Sequence, residues 1–515
     1  MYNSMSTYAL VAALVPFLYF IKVLVKKLST HPRNVAPYPP GPKPKPFVGN
    51  MFDLPTKKAA QTYLQWGQMY KSNILHTSSL GNHLVILNKF EDADELFERR
   101  ARKYSDRAQL PIAKLMGWES STGLLPYGAE WRLHRRIFQK SFRAEAIRDY
   151  HPLLRKKVHH FLRDLLKAPE SFDDHKLLLT SSVPMMTTYG YDVKSLDDPL
   201  VTAAHASMEI TTSLLLPGAT FINTLPVLAH LPTWFPGASS RKMAATVHDL
   251  TEKLDSTLFE FVKGRMLKGR QIPSFISDFL LTGHGASTEE KNAVRTVANS
   301  IFSAASDTTL SSIGAFFYVM AINPDVQRRA QAEIAKVIGA SRLPVFEDRS
   351  SLPYIEALYK ELLRSHPPVQ LGLPHMVSED DLYKGYFLPK GTEVLPNIWA
   401  MTHDEERYPE PFKFKPERFF DEEGNLNSDD RILAYGFGRR VCAGKYMASS
   451  LLWLTIASVL ACFNIEKAKD EFGNDIDIND DFDEFGLLVH KTSFKCSIVP
   501  RSEIARRLLT EDAST

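Results

Sequence analysis

The sequence predicts a mainly α fold with a small β region, built as one large domain behind an N-terminal transmembrane segment. Past residue 50, most segments space apolar residues at i, i+3 and i+4, which gives a helix one buried stripe. Only short runs alternate as strands do, and no repeat or low-complexity linker divides residues 50–500. The 515 residues, 44% apolar and 23% charged, have globular composition and exclude a disordered or fibrous chain. A net charge of +3 gives no global attraction to nucleic acid.

The elements follow in order. Residues 8–25 are apolar except for Lys22, at the short end of what crosses a bilayer. Residues 1–7 carry no Lys or Arg, unlike a cleavable signal peptide. The cations Lys22, Lys26, Lys27 and Arg33 come afterwards, which places the body on the cytoplasmic side of a single-pass anchor, residues 1–30. A buried core helix containing Pro16 is the alternative. Residues 31–50 hold Pro37, Pro39, Pro40, Pro42, Pro44 and Pro46, whose fixed φ angles make a stiff strut or a turn-rich linker. The folded body takes residues 51–500, and residues 501–515 read as a polar tail.

Within the body, helices are expected at 131–142, 294–320, 324–338 and 446–463, and strands at 84–87 and 386–396. The run 294–320 is apolar except for a polar stretch at 303–309, whose buried polar groups need partners or a purpose. Between 217 and 237, Phe221, Ile222, Leu225, Leu228, Trp234 and Phe235 alternate with Pro217, Pro226, Pro232 and Pro236. The prolines argue for an irregular surface loop, and an apolar loop on an anchored protein reads as one that dips into lipid; core packing is the other reading.

The chemistry centres on Tyr435-Gly436-Phe437-Gly438-Arg439-Arg440-Val441-Cys442-Ala443-Gly444. Gly436, Gly438 and Gly444 permit backbone geometry that side chains forbid, around a lone cysteine just before a helix. The helix N-terminus and Arg439 and Arg440 favour a thiolate there. A single cysteine cannot build a zinc or iron–sulfur site, and the three in the chain (Cys442, Cys462, Cys496) cannot form a disulfide framework. Such a count suits a reducing compartment, and no Asn-x-Ser/Thr glycosylation acceptor is present. No protease-like His and Asn pattern accompanies Cys442. From the residues alone, an inert buried cysteine stays open.

The segment resembles the cysteine loop of the cytochrome P-450 superfamily, Phe-x-x-Gly-x-Arg-x-Cys-x-Gly, with Tyr435 in place of the usual Phe. Glu361-x-x-Arg364 and Pro416-Glu417-Arg418-Phe419 resemble two further blocks of that family. Ala304-Ala305-Ser306-Asp307-Thr308-Thr309 is similar to its oxygen-activating stretch, with Ala305 where glycine is usual. Trp131-x-x-x-Arg135 is similar to its propionate-binding helix. The resemblance spans about residues 36–500 and is closest to the microsomal fungal kind, with Trp399, His403, Tyr408 and Pro409 fitting the approach to the third block.

The resemblance implies a single P-450-type haem domain at 51–500 behind the anchor, with Cys442 as thiolate ligand of heme b among Gly436, Gly438 and Gly444. It implies Trp131, Arg135, His375 and Arg440 as propionate donors, and a structural Glu361–Arg364–Arg418 network. Asp307 would relay protons and Thr308 would hydrogen-bond dioxygen and position water. A lone Glu–Arg pair is otherwise a surface salt bridge, and His375 a core histidine.

The implied activity inserts one oxygen atom of dioxygen into a lipophilic small molecule, such as a terpenoid, steroid or polycyclic aromatic, in secondary metabolism or xenobiotic oxidation. Its pocket would be lined by residues 110–127, Phe302, Ser306, Val369, Leu371, Phe485 and Leu487. No dinucleotide fingerprint follows a strand, so electrons would come from a separate NADPH-dependent cytochrome P-450 reductase. Arg136, Lys140, Arg439 and Lys445 offer it a basic patch, or are a solvated face. The location implied is the endoplasmic reticulum membrane, with the catalytic domain cytoplasmic. A haem-thiolate isomerase or dehydratase working without dioxygen, and a non-catalytic haem or ligand carrier, are the alternatives.

Overall fold

The computed structural model describes residues 36–215, 218–235, 237–283 and 285–511; the anchor expected at 1–30 lies outside them. The architecture is organised around one helix, Thr288–Ile322. Ser287 and Glu290 cap its start reciprocally, each satisfying the other's free N–H. From Ser311 to Ala321 every side chain is buried, which puts this half at the centre of the main apolar cluster. The helices Phe172–Tyr189, Pro353–Ser365 and Lys445–Cys462 pack around it. Lys445–Cys462 is the one helix among the described residues long and apolar enough to cross a membrane. With 72% of it buried inside the protein, it is a core helix.

A four-stranded sheet lies to one side, in the order Ile74–Ser79, Asn82–Leu87, Glu393–Pro396, His375–Met376. The first two strands form an antiparallel hairpin, and Asn82–Leu87 runs parallel to Glu393–Pro396. The expected helices appear as Ala129–Phe142, Thr288–Ile322, Pro324–Val337 and Lys445–Cys462. The run read as one strand over 386–396 is two, Tyr386–Leu388 and Glu393–Pro396, because the chain turns between them at Gly391 (φ +85°).

Two terminal segments differ from expectation. Residues 37–41 of the strut are docked rather than free: the Phe387 amide donates to the Pro37 carbonyl, and the His76 amide to that of Pro40. The 501–515 segment is not simply a polar tail. Glu503–Glu511 is a helix that buries Ala505 and Leu509, and Arg163 Nε donates to the Leu509 carbonyl. Its apolar residues at 504, 505, 508 and 509 are a helical stripe. The 217–237 segment is irregular as expected, with short turns at Phe221–Asn223 and Pro226–His230; Phe221 and Trp234 are exposed and Ile222 is buried.

Candidate functional site

The cysteine loop runs from Tyr435 to the start of the helix Lys445–Cys462. Gly436 (φ +78°) and Gly438 (φ +57°) hold left-handed backbone, and a Cβ on Gly438 would stand 2.1 Å from the Phe97 carbonyl oxygen. The Gly438 amide donates to Glu98 Oε1 at 2.7 Å, and Arg431 donates to the same oxygen at 2.6 Å. The Cys442 amide donates to the Tyr435 carbonyl at 2.8 Å. The extra hydroxyl of Tyr435 meets Tyr359 Oη at 3.0 Å, so the departure from Phe is accommodated by a partner.

Cys442 lies among dense protein, yet its side chain keeps exposed surface. Burial raises its pKa, opposed by the Gly444 amide facing the sulfur and by Arg135 and Lys445. Arg439 and Arg440, expected to favour the thiolate, are engaged elsewhere. Arg439 donates to Tyr127 Oη at 2.7 Å, and Arg440 donates to the carbonyls of Ser105 (2.8 Å) and Leu125 (2.7 Å).

Ala304 is exposed in the middle of an otherwise buried stretch of the helix Thr288–Ile322, which marks the side that meets open space. Thr308, one turn on, shares that side, and its hydroxyl donates to the Ala304 carbonyl at 2.8 Å. Within the polar interruption at 303–309, Ser303 likewise donates to a carbonyl of its own helix, as do Ser300 and Ser312 on either side of it. Phe302 and Ser306 are placed differently from expectation. They lie about 200° round the helix from Ala304, where with Asp307 they line a small cavity against the helix Pro199–Leu215.

Cations gather beside the cysteine loop. Arg135 donates to the Val441 carbonyl at 2.9 Å, and the guanidiniums of Arg135 and Arg440 lie 5.7 Å and 4.9 Å from the centre of the buried Trp131 ring. His375 is buried, with Nδ1 2.6 Å from the Tyr104 carbonyl; that nitrogen therefore carries the proton and leaves Nε2 for another partner. Arg107, which sequence reasoning missed, donates to the carbonyls of Gly123, Leu373 and Pro374. Burial pushes Arg107 down to about 9 and Arg440 to about 10, and it holds His375 well below its ordinary value. Mutual repulsion adds to this: Arg440 lowers Arg107, Arg135 lowers Arg440, and Arg107 and Arg440 lower His375.

Arg440 Nη1 is buried with no hydrogen-bond partner. An unanswered guanidinium donor among repelling cations fits a ligand with carboxylates. Gly444 fits a close approach too. Its φ is −88° and a Cβ there would meet no protein atom within 4 Å, so nothing in the protein itself requires glycine.

The structural network is formed as expected. Glu361, 0% exposed, accepts from Arg364 Nε (2.7 Å) and Nη2 (2.9 Å), from Arg418 Nε (3.1 Å) and from the Lys415 amide (2.8 Å). Arg364 also donates to the carbonyls of Thr402 and Pro411, and Arg418 to those of Pro409, Glu410 and Lys413. The set pins the 409–418 segment to the helix Pro353–Ser365.

The remaining pocket residues scatter. Val369 is half-buried, whereas Leu371 packs into the apolar cluster of Tyr63, Leu75 and Ile86 beside the sheet. Leu487 follows Gly486 at the tip of the hairpin Phe482–Phe485/Leu488–Lys491. A Cβ on Gly486 would stand 2.3 Å from the Thr212 backbone, so the tip is pressed against the helix Pro199–Leu215. The side chain of Phe485 lies outside the described residues. Among the described residues no three His, Cys, Asp or Glu side chains gather as a metal site.

A helical body that holds a glycine-bound cysteine beside a cluster of largely buried arginines has the make-up of a haem-thiolate oxidoreductase. The chain belongs to the cytochrome P-450 family, whose model matches residues 39–497. It is 40% identical over 478 residues to cytochrome P-450 monooxygenase 208 of Postia placenta, covering 92% of both chains. It is 37% identical over 487 residues to cytochrome P-450 monooxygenase COX2 of Coprinopsis cinerea, covering 93% of this chain and 92% of the relative. It is 39% identical over 479 residues to cytochrome P-450 monooxygenase claR of Ampulloclitocybe clavipes, covering 92% and 88%. The family binds haem through a cysteine thiolate, and the chain is a monooxygenase of that family.

Proposed function

We propose that Cys442 supplies the thiolate, that Trp131, Arg135, His375 and Arg440 hold the propionates, and that one atom of dioxygen is inserted into a lipophilic small molecule. The observation that carries the reading is the unpartnered, buried Nη1 of Arg440 among repelling cations, two residues from the exposed Cys442. The cofactor, when bound, supplies the oxygen chemistry. The residues bind, orient and deliver protons: Thr308 has its hydroxyl held at the Ala304 carbonyl, and Asp307 is the next residue back along the helix.

The proposed substrate class is a terpenoid, steroid or polycyclic aromatic. Its support is in the sequence, where 369–373 and 485–488 carry no Lys or Arg, and not in a shared pocket, since Leu371 packs beside the sheet. Electrons come from a separate NADPH-dependent reductase, docked at the face where Arg136, Lys140 and Arg439 are exposed. A single-pass anchor at 1–30 holds the chain to the endoplasmic reticulum membrane with its body in the cytoplasm. Exposed Phe47 (69%), Phe52 (68%) and Trp234 (69%) support a lipid-facing side, and Gly218 lies near Leu54, which joins the two segments that carry them.

The test is the carbon-monoxide difference spectrum of the reduced protein. A thiolate ligand moves the Soret band strongly to the red, and Cys442→Ser abolishes that band. Thr308→Ala keeps the band and diverts electrons from product to peroxide. Folded, haem-loaded protein without the shifted band overturns the ligand assignment; turnover without dioxygen or reductase overturns the oxygenase reading.

A further inference from the structure

Asp307 faces the helix Pro199–Leu215, where its Oδ1 lies 3.6 Å from Nδ1 of His205. That gap is too long for a direct hydrogen bond and asks for a bridging water. Beside it is a cavity the size of one water molecule, lined by Ser181, His205, Ser303, Ser306 and Asp307 among others. Val201, Ala204, Met208 and Phe302 supply the rest of its wall, so a water held there takes its about two to four partners from the polar side chains on one side. The other ring nitrogen of His205, Nε2, is 2.9 Å from Ser181 Oγ, which in turn lies 3.5 Å from Ser306 Oγ. Ser181 and Ser306 are buried, whereas His205 keeps 29% of its side chain exposed. His205 therefore touches both solvent and the cavity at Asp307.

We propose that His205 is the proton entry for Asp307, through one water held in this cavity. The inference rests on the reading of Asp307 as a proton relay. The Nδ1–H of the imidazolium passes its proton by way of the water to the Asp307 carboxylate. The neutral ring then regains a proton from solvent, which the 29% of its side chain that stays exposed can reach. Only N–H and O–H bonds change, and Ser181 fixes the ring by holding Nε2. His205 acts through Asp307 and touches neither cofactor nor substrate, which makes it a positioning residue.

The experiment uses holoenzyme reconstituted with reductase and follows dioxygen itself, so no substrate need be known. His205→Asn and His205→Gln are expected to slow NADPH oxidation about tenfold, the scale of a lost partner behind a reacting group. They raise the solvent deuterium isotope effect and the share of dioxygen released as peroxide, while the carbon-monoxide band stays in place. Asp307→Asn does the same, and the double variant is no worse than Asp307→Asn alone, as for groups acting in series. Independently of turnover, carbon-13 NMR of labelled histidine in the reduced, carbon-monoxide-bound protein shows the His205 ring signal moving when Asp307 becomes Asn. Wild-type rate and isotope effect in both His205 variants, with Asp307→Asn impaired, overturn the proposal and leave the Asp307 reading intact. Losses that multiply in the double variant also overturn it. An unimpaired Asp307→Asn overturns the reading of Asp307 itself.

Discussion

Replacing Glu361 by Gln removes a charge without changing shape, at a site with no solvent to compensate. The carboxylate is 0% exposed, and its partners Arg364 and Arg418 have side chains only 3% and 8% exposed. Both guanidiniums keep their bonds to backbone carbonyls in the variant. They lose the anion between them, and the Gln amide turns at least one N–H toward a guanidinium that has nothing to accept with. Removing one member of a buried ion network costs about 3–5 kcal/mol. That is a large part of the roughly 5–15 kcal/mol by which a domain is stable. The assay is urea unfolding followed by circular dichroism at fixed haem loading, comparing midpoints at an unchanged slope. A companion triple variant, Glu361→Leu with Arg364→Met and Arg418→Met, is also expected to lose stability, because the carbonyls of Thr402, Pro409, Glu410, Pro411 and Lys413 and the Lys415 amide lose their partners. A loss below about 1 kcal/mol for Glu361→Gln, the value of an exposed pair, would refute the claim that this network locks the 409–418 segment.

Gly438→Ala forces a methyl to within 2.1 Å of the Phe97 carbonyl at a φ of +57°, so it lowers stability by more than about 1–2 kcal/mol and shrinks the thiolate band in the reduced carbon-monoxide spectrum. Gly444→Ala meets no protein atom and leaves urea stability within about 0.5 kcal/mol when haem is absent, yet it reduces haem uptake measured by absorbance titration. His134, buried beside Thr122 Oγ1 at 3.2 Å, is pushed down to about 4 by burial. Unfolded histidine titrates near 6.5, so between about pH 6.5 and 4 the unfolded chain holds a proton that the folded chain lacks. Its stabilisation is complete above that window and is lost as pH falls through it, with a slope of at most about 1.4 kcal/mol per pH unit. His76, His366 and His403, lowered to about 3, 3 and 4, add slope of the same sign. His134→Asn is expected to flatten the pH dependence of the urea midpoint by one such contribution; an unchanged slope refutes it.

What was legible in the sequence follows from how far apart the partners are in the chain. Glu361 and Arg364, or Trp131 and Arg135, lie one turn apart, so helix geometry alone puts them together. Glu98, Arg107 and His205 carry no such signal. Their partners are distant in sequence, and those of Arg107 are backbone carbonyls that any residue can present. The phase of the central helix was the other illegible quantity. Its polar stretch 303–309 announced a purpose, but which side chains meet open space and which pack inward is fixed only by packing. Ala304 is exposed, and Phe302 and Ser306 line a cavity about 200° round the helix from it. The tail helix was legible in principle, since residues 504, 505, 508 and 509 carry the helical spacing, and it was obscured by the charges between them.

The cation cluster also bears on how binding and folding are coupled. Arg107, Arg135, Arg440 and His375 come from separate parts of the chain, and each is held in place by backbone carbonyls or aromatic rings rather than by a carboxylate side chain. The acids that act on them, Asp106 on Arg440 and Glu393 on Arg107, do so by charge alone and do not reach Arg440 Nη1. Arg107, Arg135 and Arg440 are therefore kept together as like charges around a neutral His375, at a cost in stability that an anion among them would offset. On the proposal that these residues hold the haem propionates, such a site binds the cofactor more tightly than separately placed arginines would, because the donors are already desolvated and oriented. By linkage, whatever tightens that binding stabilises the whole helical body in the same measure. The carbonyls of Ser105, Leu125 and Val441 that hold these arginines are thus as much a part of cofactor affinity as the guanidiniums themselves.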